Sequence, residues 1–340
     1  MWPGADFFCS RLVILGTMPE IVQLGGIAGY QLDPLLLEET VEWSEKLDWD
    51  FGRSAELVRH FTDTKALAGA ALVERGEVVG YGYAVLENDK ALVGDLYVRP
   101  PWRVGNAESH LLGTILDALM QMPQVRRIES QLLMISPAVG EVAGRERGIR
   151  TCERVLMTVD ATPVTIREAS PRFRVERWGD HHQEMAATVI ALAYGNHVDS
   201  RINEQYRTVS GARKFLANII QYPGCGNFHA ESSLVAFDNR TGWVAGMSLA
   251  SFVGPETEHI TQLCVTPQSQ GSGLGRELLL RSMEALRQAG AKRITLTVTG
   301  ANRGALELYR RTGFREMRRF LACIWDRNEA SRASAAPNSP

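Results

Sequence analysis

Between Val265 and Gly275 the chain reads Val-Thr-Pro-Gln-Ser-Gln-Gly-Ser-Gly-Leu-Gly, a glycine-rich turn between a strand-like run, His259 to Val265, and a helical one, Arg276 to Gln288. Glycines at 271, 273 and 275 let the backbone curl with its N–H groups pointing inward, and the following helix presents its positive end to the same spot. That combination cradles phosphate. A Walker loop requires Lys-Ser/Thr after its last glycine, where this chain has Arg276-Glu277. A dinucleotide fingerprint requires an acidic residue at the end of the next parallel strand, but Arg293 to Thr299 runs out into Gly300-Ala-Asn302. Neither pattern fits.

The strand before the cradle carries an independent signal. Its apolar positions are Ile260, then Leu263 and Val265, so the inward parity flips within it. One extra residue is required, and a β-bulge supplies it.

Gln268-Ser-Gln-Gly271-Ser-Gly273, preceded by Leu263-Cys-Val-Thr-Pro267, resembles the Gln/Arg-x-x-Gly-x-Gly/Ala signature of the GCN5-related N-acetyltransferase (GNAT) superfamily. Downstream, Asn302-Arg-Gly-Ala305-Leu-Glu-Leu308-Tyr309 followed by Gly313-Phe314 is similar to a second signature of that family. The resemblance implies acetyl-CoA as co-substrate and no metal. Backbone groups of Leu263, Cys264 and Val265 would hold the pantetheine arm in the gap opened by the bulge, and Gln270, Gly271, Ser272, Gly273, Leu274 and Gly275 would hold the pyrophosphate. Tyr309 matches the family tyrosine that protonates the departing thiolate, and Asn302 would meet cofactor or cap its own helix. Many members carry a glutamate in the bulged strand. Thr261 and Gln262 stand there instead, neither able to take a proton, which leaves His259 as the candidate base, with Glu258 beside it. For the acceptor, Asp199, Glu204 and Tyr206 are candidates to bind an ammonium and Arg201 a carboxylate. Arginines 310, 311, 315, 318 and 319 offer charges for the cofactor's 3′-phosphate or form a solvated basic face.

These residues lie in the second half of a chain of 340, long enough for two domains. From Ile21, a helical pattern near 34–48, strand runs at Ala66–Glu74, Glu77–Leu86 and Ala91–Val98, a helix at Glu108–Met120 and strands at Val125–Met134 and Glu153–Asp160 give the GNAT order once already. Val98 to Glu108 aligns without gaps on Val265 to Gly275, but Val104, Asn106 and Glu108 replace the three glycines, and no Asn-x-x-Ala-x-x-Leu-Tyr counterpart follows Met134. The expected fold class is therefore α/β with an α+β mixed sheet: two tandem GNAT-like domains, each a mostly antiparallel sheet splayed at a bulged strand and flanked by helices. The expected divisions are an ill-defined extension over 1–20, a degenerate copy over 21–162, a Pro-containing linker over 163–172, the acetyltransferase domain over 173–327, and a disordered tail over 328–340. The N-terminal copy is expected to take the place that a second subunit occupies in dimeric relatives and to shape the acceptor cleft.

A balance of 37 basic against 39 acidic residues provides no field for nucleic acid or a membrane surface. Five scattered cysteines, 9, 152, 225, 264 and 323, form no C-x-x-C pair, so neither a disulfide framework nor a zinc site is expected. A cytoplasmic monomer or homodimer acting on a small-molecule amine or a protein or peptide amine is the expected setting. The same residues are open to an alternative, a non-catalytic acyl-CoA-binding or sensing protein.

Overall fold

The computed structural model describes residues 19–103, 106–145, 147–166, 170–222 and 226–328. Most of the expected N-terminal extension, residues 167–169 of the linker, Val104, Cys225 and nearly all of the tail lie outside the described residues.

The first half runs β1 (Glu20–Gln23), α1 (Asp33–Leu47), α2 (Gly52–Asp63), β2 (Ala68–Glu74), β3 (Glu77–Glu87), β4 (Lys90–Val98), α3 (Ala107–Gln121), β5 (Arg127–Gln131), α4 (Pro137–Arg145) and β6 (Arg150–Asp160). Pro34 sets the first turn of α1, and Asp48 in the left-handed conformation (φ 55°) ends it. Arg75 and Gly76, both with positive φ, make the tight turn that matches the twist of β2 and β3. The second half runs β7 (Phe173–Arg177), α5 (Gln183–Tyr194), α6 (Asp199–Ile202), α7 (Val209–Gln221), β8 (Asn227–Phe228), β9 (Leu234–Asp238), β10 (Val244–Phe252), β11 (Thr257–Val265), α8 (Leu274–Gln288), β12 (Arg293–Thr299), α9 (Arg303–Arg311) and β13 (Arg315–Asp326). Helix α4, rich in small residues, lies where no helix is legible in the sequence.

All described strands join one sheet, ordered β1-β2-β3-β4-β5-β13-β6-β12-β11-β10-β9-β7 with β8 against β10. The halves exchange their last strands. β13 pairs antiparallel with β5 of the first half, while β6 pairs antiparallel with β12 of the second, from Arg293↔Asp160 to Thr299↔Arg154. Trp325 accordingly packs into the core under α3, and Val155, Met157 and Val159 pack into the core under α8 and α9. Each half completes its core with the other's strand.

The two parallel pairings, β4·β5 and β11·β12, mark where the sheet splays. The first ends at Val93↔Ser130 and the second at Ile260↔Leu296. Each gap coincides with a bulge: Leu249 and Ala250 face Gln262 and Ile260, so Thr261 is the extra residue, and Tyr83 and Ala84 face Asp95 and Val93, so Gly94 is. The parity flip predicts the bulge in β11. Extending the alignment of Val98 on Val265 upstream without gaps places Gly94 on Thr261 and Asp95 on Gln262.

Candidate active site

Beyond Ile260 the departing β12 leaves backbone groups of β11 unpaired on one side, and a small cavity of about 100 Å³ opens there. Gln262 and Leu263 wall it from β11, Leu296 and Val298 from β12, and Tyr309 and Asn302 from α9 and its cap. Leu263, Asn302 and Tyr309 also line a channel of about 160 Å³ that continues past Cys264 and Val265 to Gln270 and Gly275. The gap and the glycine loop are thus one passage.

At the loop, Gly271 and Gly273 hold φ of 73° and 87°, which residues with a Cβ adopt at a cost. A Cβ added at 271, 273 or 275 meets nothing within 4 Å. The glycines leave a hollow rather than relieve a clash. Gly273 caps α8 with no side-chain hydrogen bond of its own, and of the first-turn N–H groups that of Leu274 reaches the Ser272 hydroxyl at 3.5 Å. A helix end closed only by that long contact and facing a hollow fits the pyrophosphate of a coenzyme A thioester.

Tyr309 is 8% exposed and lies tilted against Phe314, ring centroids 5.9 Å apart. Burial, followed by the charge of Asp199, pushes its hydroxyl above the ordinary tyrosine range, so it carries its proton at neutral pH. Asn302 does both things the sequence offers: its Oδ1 accepts the Ala305 N–H (3.1 Å) as a helix cap, and its Nδ2 lies 3.2 Å from His197 Nε2. Asp199 lies beside these groups at the mouth of α6. Its carboxylate accepts from Arg154 Nη1 (3.1 Å) and the Thr299 hydroxyl, and lies 3.5 Å from His197 Nδ1. Burial alone would raise its pKa, but His197, Arg154 and Thr299 hold it below the ordinary value. Arg154, on exchanged strand β6, is a first-half residue built into the second half's gap.

A larger cavity, about 430 Å³, adjoins the gap and shares Arg154, Tyr206, Thr261 and Thr297 with it. It lies at the junction of the halves. After α1 the chain crosses to the second half, where Asp50 N–H donates to Val253 O (2.5 Å) and the Thr257 hydroxyl donates to Asp48 (2.6 Å). This crossing sets Trp49 against His259, rings 5.3 Å apart. His259 Nδ1 meets the Thr295 hydroxyl at 2.9 Å, and that hydroxyl donates to Glu258 O (3.2 Å), so Nδ1 carries the ring proton and Nε2 is the bare acceptor. Burial, then Arg154, lowers His259 to about 4. The opposite face of the strand holds Glu258, pushed up to about 8 by burial and 3.9 Å from His229.

The acceptor candidates divide. Asp199 and Tyr206 line the gap, with the Tyr206 hydroxyl 3.4 Å from Gln262 Oε1; that bond leaves the buried Gln262 Nε2 without a partner. Arg201 and Glu204 are exposed and line none of these cavities: the Arg201 carbonyl and the Glu204 carboxylate face Arg127 of β5, at 2.6 and 3.7 Å. Four of the late arginines are engaged in ion pairs, Arg310 with Glu316, Arg311 with Glu307, Arg315 with Asp160 and Arg319 with Glu153, and Arg318 donates to the Leu133 carbonyl (2.7 Å). Sequence reading missed Arg154, because strand exchange brings it in, and His197, a lone histidine in a turn-rich segment. Among the described residues no group of His, Cys, Asp or Glu is placed to hold a metal, and no helix is long and apolar enough to cross a membrane.

In the first half, charged side chains meet beside the start of α3. Arg103 bonds Glu42 through both terminal nitrogens (2.9 and 2.6 Å) and lies 3.7 Å from Glu108, in the first turn of α3.

Comparison with known proteins agrees with this geometry. Residues 201–314 match the acetyltransferase (GNAT) family. The mycothiol acetyltransferase of Thermobifida fusca is 36% identical over 95 residues, 26% of this chain and 29% of that protein, so the chain aligns with less than a third of its relative's length. A GCN5-related N-acetyltransferase of Sphaerobacter thermophilus superposes with a TM-score of 0.63 at 17% identity, over 91% of this chain and 97% of its own. A tandem GNAT protein from the clavulanic acid biosynthesis pathway superposes with a TM-score of 0.55 at 14% identity, over 94% and 99%. At those identities the likeness is one of fold, and it extends over both halves. Residues 201–314 thus carry an acetyltransferase (GNAT) family domain, and a tandem GNAT-like fold extends over nearly the whole length of the chain.

Proposed function

We propose that the protein is an acetyl-CoA-dependent N-acetyltransferase whose second half, close to the expected 173–327, binds the thioester and delivers its acetyl group to a primary amine by direct attack. The observation that carries this reading is the single passage from the open glycine cradle, through the splayed gap at Tyr309, into the junction cavity. Acetyl-CoA supplies an activated acyl carbon and a thiol leaving group. Main-chain N–H groups from 270–275 hold the pyrophosphate, and the backbone of Leu263, Cys264 and Val265 holds the arm in the gap. The amine nitrogen forms a bond to the carbonyl carbon as the C–S bond breaks. The Tyr309 hydroxyl gives its proton to the sulfur, and His259 Nε2, neutral and open to the junction cavity, takes the proton leaving the amine directly or through water. Arg154 and His197 fix Asp199, and through it the floor of the gap. The first half, whose cradle is closed by Arg103 and Glu42, contributes one wall of the acceptor cavity.

The test is thiol release from acetyl-CoA against a panel of amines and peptides, for wild type, Tyr309→Phe and Gly273→Glu. Acceptor-dependent release that falls in the first variant and vanishes in the second supports the reading. Tight acetyl-CoA binding without turnover on any acceptor would make the protein a sensor instead.

A further inference from the structure

The junction cavity ends, on the first-half side, at a carboxylate that the transfer chemistry does not use. Asp95, the first residue after the Gly94 bulge, is 5% exposed and lines the cavity. One of its oxygens accepts the Leu96 N–H at 2.7 Å. Behind it Glu39, fully buried, accepts from the Tyr81 hydroxyl (2.7 Å) and the Trp43 indole N–H (3.3 Å). Two carboxyls held together in an apolar site share a proton, and burial, reinforced by Asp95, raises Glu39 well above its ordinary value. Two carboxyls so placed do not both ionise readily, and the charge the pair bears falls at Asp95, the side that faces the cavity. No ion pair neutralises either carboxyl among the described residues, whereas Arg154, the cavity's one arginine, is already matched by Asp199.

The walls around this charge are aromatic. Trp43 stacks on Phe51 at 5.2 Å and meets Trp49 edge-on at 5.6 Å, while Tyr83 stands beside Asp95. An isolated buried charge is costly, and an aromatic wall with a carboxylate behind it is complementary to an organic cation. A neutral polyol would accept or donate hydrogen bonds there but leave the charge unmatched.

We infer that Asp95 and the aromatic residues Trp43, Trp49, Phe51 and Tyr83 form a binding site for a second cationic group of the acceptor, so that the substrate is a di- or polycationic amine. One nitrogen reacts at the splayed gap and another, an ammonium or guanidinium, is held by the first half. The reacting end rests on the transferase reading above; the cation site does not.

The probe is a series of trimethylammonium alcohols of graded length, which lack a reactive amine, with the neutral tert-butyl alcohols of matched length. Binding to the full chain is followed by quenching of tryptophan fluorescence and by calorimetry, with acetyl-CoA affinity measured separately. The cations are expected to bind about tenfold tighter than their neutral isosteres. Asp95→Asn removes that margin and keeps acetyl-CoA affinity, while Gly273→Glu loses acetyl-CoA and keeps the margin. In turnover, diamines exceed monoamines in kcat/KM by about the same factor, and Asp95→Asn erases the difference through KM. Equal binding of the cations and their neutral isosteres by wild type overturns the inference without any variant, as does an unchanged margin in Asp95→Asn. Loss of acetyl-CoA binding by wild type would sink the transferase and leave the cation result standing.

Discussion

The two halves share a bulged strand and divide everything else that acts at it. At Gly94 and at Thr261 the same extra residue splays a parallel pair. After the bulge the first half has a carboxylate, Asp95, and the second an amide, Gln262; after the strand the first half has Arg103, Glu42 and Glu108 in ion pairs, and the second an open glycine hollow. The bulge is thus a property of the fold, and the open hollow is a property of the loop. One half keeps a charge without a cradle, the other a cradle without a charge.

The sharpest way to break this comparison is to part the halves. Residues 173–327 alone lack β6, which uncovers the edge of β12 and removes Val155, Met157 and Val159 from their core. Expressed alone, this segment is expected to be insoluble or unfolded, whereas a chain cleaved within 163–172 stays associated through the exchanged strands. Sedimentation and circular dichroism of the two preparations decide it; a soluble, folded isolated half would show that the exchange is dispensable.

Next in size is the cradle. Gly273→Glu places a side chain at φ 87° and a carboxylate in the pyrophosphate hollow, and acetyl-CoA affinity should fall by at least about 100-fold in calorimetry. Glu108→Gly, the mirror change, should leave acetyl-CoA binding as it was, because Arg103 and Glu42 still occupy that site. A gain of a second binding equivalent would contradict the division of labour.

These features were unevenly legible in the sequence. The bulge at Thr261 shows in the parity of Ile260 against Leu263 and Val265, since side-chain period is local. The exchange of β6 and β13 does not: both are charged at the start and mostly apolar after it, and which partner each takes is decided by contacts far apart in the chain. Arg154 was hidden by that same exchange. Asp95 had a signal, a lone carboxylate in the otherwise apolar run from Ala91 to Val98, but its partner Glu39 sits on α1, where a glutamate reads as part of the solvated face. Only the packed helix reveals that it is buried.

Tyr309→Phe tests whether the second half is catalytic rather than merely a binding fold. The ring and its packing on Phe314 persist, so KM for acetyl-CoA should hold while kcat falls by about 100-fold. A drop in cofactor affinity with kcat intact would give Tyr309 a structural role only.

The last comparison separates the halves by pH. His259 has an ordinary pKa of 6.5 and a folded value of about 4, so the unfolded chain binds more protons than the folded one between those limits. Stability therefore falls as pH drops through that window, by up to about 3 kcal/mol at roughly 1.4 kcal/mol per pH unit of displacement. Glu258 acts in the opposite direction: folded near 8 against an ordinary 4.5, it favours the folded state at low pH and loses that contribution as pH rises through the interval. Asp95, held near 6 by burial, does the same in the first half. The wild-type curve is a sum of these, so the informative quantity is the difference between wild type and His259→Gln in urea unfolding. That difference should change with pH between about 6.5 and 4 and be flat above. The aligned position in the first half is Leu92, which has nothing to titrate, so Leu92→Gln serves as the control whose difference from wild type is independent of pH. If the His259→Gln difference were equally flat, the imidazole would be titrating in the folded state much as it does unfolded, and a neutral proton acceptor at the cavity would lose its physical basis.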